Sequence, residues 1–150
     1  MEQGDTIRIT LNTLPRRTEL CTGGWNSGFV PIAGAVVTVV DGGNDPDRLT
    51  FSVPGCADGG NFGTVTLGSG DDVGADGATF GLTTPEGSSR LSFDSATNTV
   101  VFTLGGLSAG TVATVGGATV ATYTPSPLAL SANLSAPVGT ARTPAGGVNF

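Results

Sequence analysis

Apolar and polar residues alternate in several short stretches of this chain. Between residues 6 and 14, Ile7, Ile9 and Leu11 fall on one face, while threonine and arginine side chains fall on the other. A period of two residues is the signature of a β-strand with one buried face. No stretch has the 3.6-residue period of an amphipathic helix of about ten residues or more. We therefore predict strands at residues 5–14, 29–40, 49–53, 63–67, 79–84, 90–94, 99–104, 112–115 and 118–123.

Turn-forming residues separate these stretches. Gly, Pro, Asn and Asp cluster at about every 8 to 12 residues, which is the spacing expected of an all-β sandwich or barrel. The glycine-rich residues 68–77 and 105–110 are predicted as loops or turns. A pair of glycines, Gly116 and Gly117, suits the tight turn of a hairpin over residues 112–123.

The strongest local prediction is a hairpin over residues 90–104. Its strands can bring Leu91 and Phe93 to face Val100, Phe102 and Leu104 on one apolar side. With the remaining strands, this pattern predicts one all-β domain: an antiparallel β-sandwich, jelly roll or barrel of about nine or ten strands. Its predicted core consists of Ile7, Ile9, Leu11, Val37, Val39, Phe51, Phe80, Leu91, Phe93, Phe102, Val115 and Val120.

The composition changes near the C-terminus, which divides the chain into a β domain at residues 1–124 and an extended arm at 125–150. The arm holds four Pro residues and a single charged residue, Arg142. Its few apolar side chains cannot offset the roughly 1 to 2 kcal/mol per residue of backbone entropy that ordering costs. We therefore predict that the arm becomes ordered on a neighbouring subunit, by strand addition at residues 128–134 and a pocket for the last residues. Its predicted interface residues are Leu128, Leu130, Leu134, Val148 and Phe150.

Composition and charge narrow the possible partners. A chain of 150 residues fits one domain, and it carries 12 acidic against 6 basic residues, for a net charge of -6. This charge argues against nucleic acid as a partner. No run approaches the roughly 18 apolar residues that cross a membrane, so no membrane partner is expected.

Catalytic chemistry finds few candidates in this sequence. The chain has no His, which excludes the commonest general base and the Ser–His and Cys–His nucleophile pairs. It has no Lys either, which excludes Schiff-base chemistry. Glu86 and Asp94 could form a carboxylate pair for glycoside hydrolysis, but carboxylates near turns are usually solvated. Cys21 and Cys56 lack the second pair of a zinc site. We expect neither enzymatic activity nor a cofactor.

Two acidic loops have the oxygen atoms and glycines that a calcium site needs. Neither has the spacing of the common calcium loop, and Asp, Asn and Gly are also ordinary turn residues. No metal is expected, and these loops are kept as weak candidates. The carboxylates concerned are Asp41, Asp45 and Asp47, beside Asn44, in the first loop, and Asp71, Asp72 and Asp76 in the second.

Three residues leave alternatives open. Trp25, in a Gly/Asn loop, either anchors that loop to the core or forms an exposed stacking platform for a sugar or a partner. Cys21 and Cys56 either form a disulfide or remain buried thiols.

The residues after Met1 lack the apolar core of a secretion signal. Synthesis in the cytoplasm is therefore expected, unless an engineered Met has replaced a signal.

The overall character of the chain resembles the small β-rich decoration (cement) proteins of tailed-bacteriophage capsids. The resemblance covers the whole length but rests on no motif, so no functional residue is carried over. It implies a structural virion protein, assembled in the host cytoplasm, whose clustered or trimeric subunits lock the capsid exterior. The implied partners are the major capsid protein or copies of the chain itself, as a homo-oligomer. The alternatives are a secreted or cell-surface β-sandwich for adhesion or carbohydrate binding, which would use Trp25 or the acidic loops, and a small enzyme.

Overall fold

The computed structural model describes residues 1–25, 28–81, 87–113 and 121–129. Strands make up 44% of these residues and helices 6%, which confirms the all-β prediction. The helical elements are α1 (Arg17–Leu20) and a 3₁₀ turn at Ala57–Gly59. The strands are β1 (Thr6–Thr10), β2 (Ile32–Val40), β3 (Arg48–Ser52), β4 (Thr64–Thr66), β5 (Val73–Phe80), β6 (Ser89–Asp94), β7 (Thr99–Thr103), β8 (Leu107–Val112) and β9 (Thr122–Thr124).

The strands form one nearly closed antiparallel sheet, consistent with a β-barrel or sandwich. Its hydrogen-bonded order is β1-β7-β6-β2-β3-β4-β9, with β5 pairing to both β2 and β8. The long strand β2 joins two parts of the sheet. Its start pairs with β6, in the part that also holds β7 and β1, and its end pairs with β3 and β5, in the part that holds the remaining strands. The change of partner coincides with a register shift at Gly34, whose φ of +83° is easy only for glycine.

Aromatic rings fill the space between the two parts of the sheet. Phe102 of β7 stacks on Phe51 of β3 at 4.2 Å between ring centroids, and Phe62 meets Phe102 edge-on at 5.3 Å. Phe102 is fully buried between the partly buried Val101 and Thr103, as a period of two residues predicts. The core therefore lies where β3 and β7 face each other.

Most of the predicted core is confirmed. The buried members are Ile7, Ile9, Leu11, Val37, Val39, Phe80, Leu91 and Phe102. Phe51 and Phe93 are only partly buried, although both pack against the core. Val115 and Val120 lie outside the described residues.

The predicted hairpin is confirmed as the pair β6–β7. Leu91 lies opposite Phe102 and Phe93 opposite Val100, so these apolar side chains face one another as predicted. Asp94 organises the turn, since its carboxylate accepts hydrogen bonds from the Thr97 hydroxyl (2.8 Å) and a backbone N–H. The Thr97 hydrogen bond, above all, lowers the pKa of Asp94 below its ordinary value.

Two glycine-rich segments form more regular structure than predicted. The loop prediction for residues 68–77 is wrong from Val73 onward, where β5 begins, and the turn prediction for 105–110 is wrong because most of it belongs to β8. Gly77 and Gly110 explain the error: a Cβ on Gly110 would clash with the Gly77 carbonyl oxygen, so glycine here allows two strands to approach closely. Most of the second predicted hairpin, residues 114–120, lies outside the described residues.

Cys21 and Cys56 form a disulfide, with their Cα atoms 4.6 Å apart. The bond joins the end of α1 to the residue that precedes the 3₁₀ turn, and both cysteines are buried. The disulfide therefore resolves the alternative that the sequence left open, and it fixes α1 against the sheet.

Candidate functional site

A groove opens beside α1, at the end of the molecule where β2 begins. Its volume is about 260 Å³. The residues that line it combine apolar walls with two guanidinium groups: Leu14, Pro15, Arg16, Arg17, Thr18 and Phe29. We call it the Arg17 groove.

The single turn of α1 is held in place at several points. The side-chain amide of Asn61 donates to the carbonyl of Glu19 (2.7 Å), and the Asn61 backbone N–H donates to the carbonyl of Leu20 (2.8 Å). Leu20 is buried beneath the helix, and Cys21 follows it directly. So short a helix depends on such tertiary contacts, because one turn is not stable by itself. Arg17 in α1 and Arg16 just before it therefore project from a fixed backbone.

The aromatic wall of the groove is supported from behind. Phe29 stacks on Phe93 at 4.0 Å between centroids and meets Trp25 edge-on at 5.0 Å. Trp25 is fully buried, and its indole N–H donates to the carbonyl of Val30 (2.8 Å). Trp25 therefore anchors its loop to the core. The alternative of an exposed stacking platform at Trp25 is wrong, because none of its ring is accessible.

The groove carries positive charge. Arg16 forms a salt bridge with Glu19 (3.0 Å), the single salt bridge among the described residues. The Arg17 guanidinium instead lies over the Phe29 ring, 5.9 Å from its centroid, a cation–π contact. Arg17 thus has no carboxylate partner within the described part of the chain. Leu14 is 42% exposed and Val30, next to Phe29, is 62% exposed, so apolar surface borders this charge.

At the far end of β2, one buried carboxylate joins the two acidic loops. Asp47 accepts backbone hydrogen bonds from Gly42 (3.0 Å), Asp72 (3.0 Å) and Val73 (3.1 Å), and none of its surface is exposed. The carboxylate satisfies donors at the start of β5 that would otherwise be buried and unpaired. Loops that the sequence presented separately therefore meet at one end of the sheet.

Asp72 lies beside this junction, and the burial of its carboxylate is not offset by hydrogen bonds to both oxygen atoms. It is 7% exposed, and its Oδ2 atom is buried with no hydrogen-bond partner. Burial raises the pKa of Asp72 above its ordinary value and Asp47 raises it further, while the Met1 amino group opposes this and Asp71 adds to it. Negative charge is therefore costly at this position.

The other calcium candidates surround the junction. Asp41 accepts a hydrogen bond from the Gly43 backbone (2.8 Å), and Asp45, Asp71 and Asp76 are exposed. Within the described residues, no three His, Cys, Asp or Glu side chains are grouped so that they could hold a metal ion. We call this region, Asp41 to Asp47 with Asp71, Asp72 and Asp76, the acidic end.

The remaining predicted site residues are only partly described. Leu128 is 64% exposed, whereas Leu130, Leu134, Val148 and Phe150 lie outside the described residues, as does Glu86. Asp94 is occupied in its hairpin turn.

The pattern of residues along the sequence does not identify the Arg17 groove. The available signal was the pair Arg16 and Arg17 after Pro15, two of only six basic residues in the chain. Nothing in the local sequence places Phe29 beside them, because that contact depends on how the loop between α1 and β2 folds.

No family model, curated protein or solved structure matches this chain. Among the helices that the structure describes, none has the length and apolar character to cross a bilayer.

Proposed function

We propose that this chain is a structural subunit of a protein shell, a capsid decoration protein of a tailed bacteriophage, which stabilises the shell through contacts between subunits. The observation that carries this proposal is the Arg17 groove. Arginine and aromatic residues are enriched where proteins bind proteins, and rigid anchors reduce the entropy that binding costs. Here the Arg17 guanidinium, which has no carboxylate partner among the described residues, and the fixed Phe29 ring lie beside exposed Leu14 and Val30.

A second feature that supports the proposal is strand β8, which lies at an edge of the sheet that the described strands form. Its six residues, Leu107–Val112, include no charge, and Leu107 is 48% exposed. Among the described strands, β8 pairs only with β5. Sheet edges that must stay unpaired usually carry charges or proline. An uncharged edge instead suits the addition of a strand from a neighbouring subunit.

The arm that the sequence predicts at residues 125–150 fits the same function. An arm with few charges can reach a neighbour and increase the contact area beyond that of one groove. Strand addition through residues 128–134 and a pocket for Val148 and Phe150 on the neighbour would anchor it.

The test is to measure association directly. Light scattering across a wide range of concentrations gives the oligomeric state, and co-sedimentation with shells that lack decoration protein gives shell binding. We expect Arg17→Ala to weaken one or both. Arg90→Ala, which removes an exposed arginine of β6 outside the groove, is the matched control. A wild-type protein that stays monomeric and binds no shell would contradict the proposal.

The disulfide favours one alternative function, a secreted or cell-surface module for adhesion or carbohydrate binding. Disulfides persist mainly in oxidising compartments. Trp25 cannot serve as the sugar platform of such a module, since it is buried, so the exposed carboxylates would have to bind the ligand. Binding to a glycan array that Asp45→Asn and Asp76→Asn abolish would favour this function over the structural one.

A further inference from the structure

The Arg17 groove and the acidic end lie at opposite ends of one strand. Phe29 precedes β2 by a short connection, and Asp41 follows its last residue, Val40. A strand of nine residues is about 30 Å long. The groove of a molecule is therefore out of reach of its own β2–β3 turn, and only a second molecule can bring the two surfaces together.

The chemistry of the turn is complementary to that of the groove. Val40 is 49% exposed and directly precedes Asp41, and Asp45 is exposed at the tip. An aliphatic side chain beside carboxylates matches apolar walls beside a guanidinium that has no carboxylate partner among the described residues. Arg48 lies opposite Val40 in the strand register and can neutralise one carboxylate of the acidic end. The other carboxylates leave this end with a net negative charge.

The turn is also rigid. Asp47 accepts the Gly42 N–H, the Asp45 N–H donates to the Gly42 carbonyl (3.1 Å), and Asp41 accepts the Gly43 N–H. The backbone that presents these side chains is thus fixed before any contact forms, which lowers the entropic cost of binding.

We propose that the Arg17 groove of one copy of this chain binds the turn at residues 40–45 of a second copy. Val40 packs against Leu14 and Phe29, and the carboxylate of Asp45 pairs with Arg17. The groove volume of about 260 Å³ lies below the roughly 300 to 1,000 Å³ of sites for whole small molecules, so it suits one or two side chains.

Such a contact is head-to-tail, because each copy offers a groove at one end and a turn at the other. Head-to-tail contacts repeat until they close into a ring or continue as a chain. The net charge of -6 does not prevent the contact, since charges farther apart than about 8 Å are largely screened at physiological ionic strength. High salt should weaken it, as the pairing depends on Arg17 and Asp45. This inference rests on the proposed function and specifies how subunits meet.

Sedimentation velocity with charge-reversed variants tests the pairing. We expect Arg17→Glu and Asp45→Arg each to weaken self-association at least about tenfold. The double variant, which exchanges the two charges, should recover much of it. Arg90→Glu and Asp58→Arg change the net charge by the same amounts at exposed positions outside the groove and the acidic end, and they should associate like the wild type. Circular dichroism checks folding, and Arg17→Ala replaces Arg17→Glu if that variant unfolds.

The possible outcomes distinguish a failure of the groove–turn contact from a failure of the proposed structural function. If the wild type associates and both reversals leave association unchanged, the groove–turn contact is wrong while a structural function stands. If the wild type is monomeric but binds decoration-free shells, the second copy is wrong as the occupant, and the function again stands. A monomer that binds no shell would overturn both.

Discussion

Asp47 accepts a hydrogen bond from the backbone N–H of Asp72, although 25 positions separate the two residues in the chain. This bond joins the β2–β3 turn to the start of β5. One member of the pair is a fully hydrogen-bonded carboxylate and the other has a buried oxygen with no partner. The Asp47 carboxylate should therefore stabilise the fold, whereas an ionised Asp72 carboxylate should destabilise it.

Asp47→Ala should be strongly destabilising. It removes the acceptor of three backbone N–H groups and leaves them without that partner in a buried region. Breaking a buried, charged network of this kind costs about 3 to 5 kcal/mol. Urea denaturation measures the free energy of unfolding. Asp76→Ala is the control, because Asp76 is exposed, and equal losses in the two variants would contradict the structural role of Asp47.

Asp72→Asn should stabilise the protein near neutral pH. The folded-state pKa of Asp72 is raised, so the folded protein holds its proton more tightly than the unfolded chain does. The stability that this proton provides is complete below the ordinary pKa near 4 and is lost as the pH rises through the folded-state pKa. The wild type should therefore lose stability over that window, and Asp72→Asn should flatten the loss. Denaturation at a series of pH values reports this slope.

Replacing both cysteines by alanine should cost about 4 kcal/mol. A disulfide over a sequence separation of 35 restricts the unfolded chain by this order in the chain-entropy model. Because the bond also fixes α1, we expect the cysteine-free variant to bind partners more weakly at temperatures where it is still folded. Thermal unfolding with and without a reductant gives an independent measurement, and an unchanged midpoint would count against the bond.

Phe102→Ala should destabilise the protein by about 3 to 5 kcal/mol, since it removes a fully buried ring. From the sequence alone, which places Phe93 and Phe102 in the same predicted core, the same cost is expected for Phe93→Ala. The structure reduces that expectation, because Phe93 is only partly buried. Comparing the two variants by urea denaturation tests the order, which fails if Phe93→Ala costs as much as Phe102→Ala.

Deleting residues 136–150 should leave the unfolding temperature of the monomer nearly unchanged while abolishing oligomerisation or shell attachment. A single groove contact is small compared with the roughly 1,000 Å² of a stable interface, so the arm must supply further area. Calorimetry and sedimentation velocity measure the two properties. If the truncated domain unfolds instead, the arm belongs to its own core.

The sequence predicted those elements in which local pattern and tertiary structure agree. In β6 and β7, alternation and turn residues indicated both strands, the turn between them and the burial of Leu91 and Phe102. It failed at β5 and β8, where Gly77 and Gly110 look like loop residues but allow two backbones to approach closely. Local pattern does not contain that information.

The same limit applies to the candidate sites. The acidic residues were visible, but their meeting around Asp47 depends on the pairing of distant strands. The Arg17 groove was missed because Leu14, Arg17 and Phe29 come together only through α1 and the disulfide. A pattern along the chain reports the composition of a site only when one element carries all of it.

The position of β2 between the two proposed contact surfaces has a mechanical consequence. If neighbours hold the molecule at the Arg17 groove and at the β2–β3 turn, tension in the assembly acts along the axis of this strand. The hydrogen bonds of β2 to β3, β5 and β6 run across that axis. They would be loaded in shear and would share the force, whereas bonds loaded one after another would open in sequence.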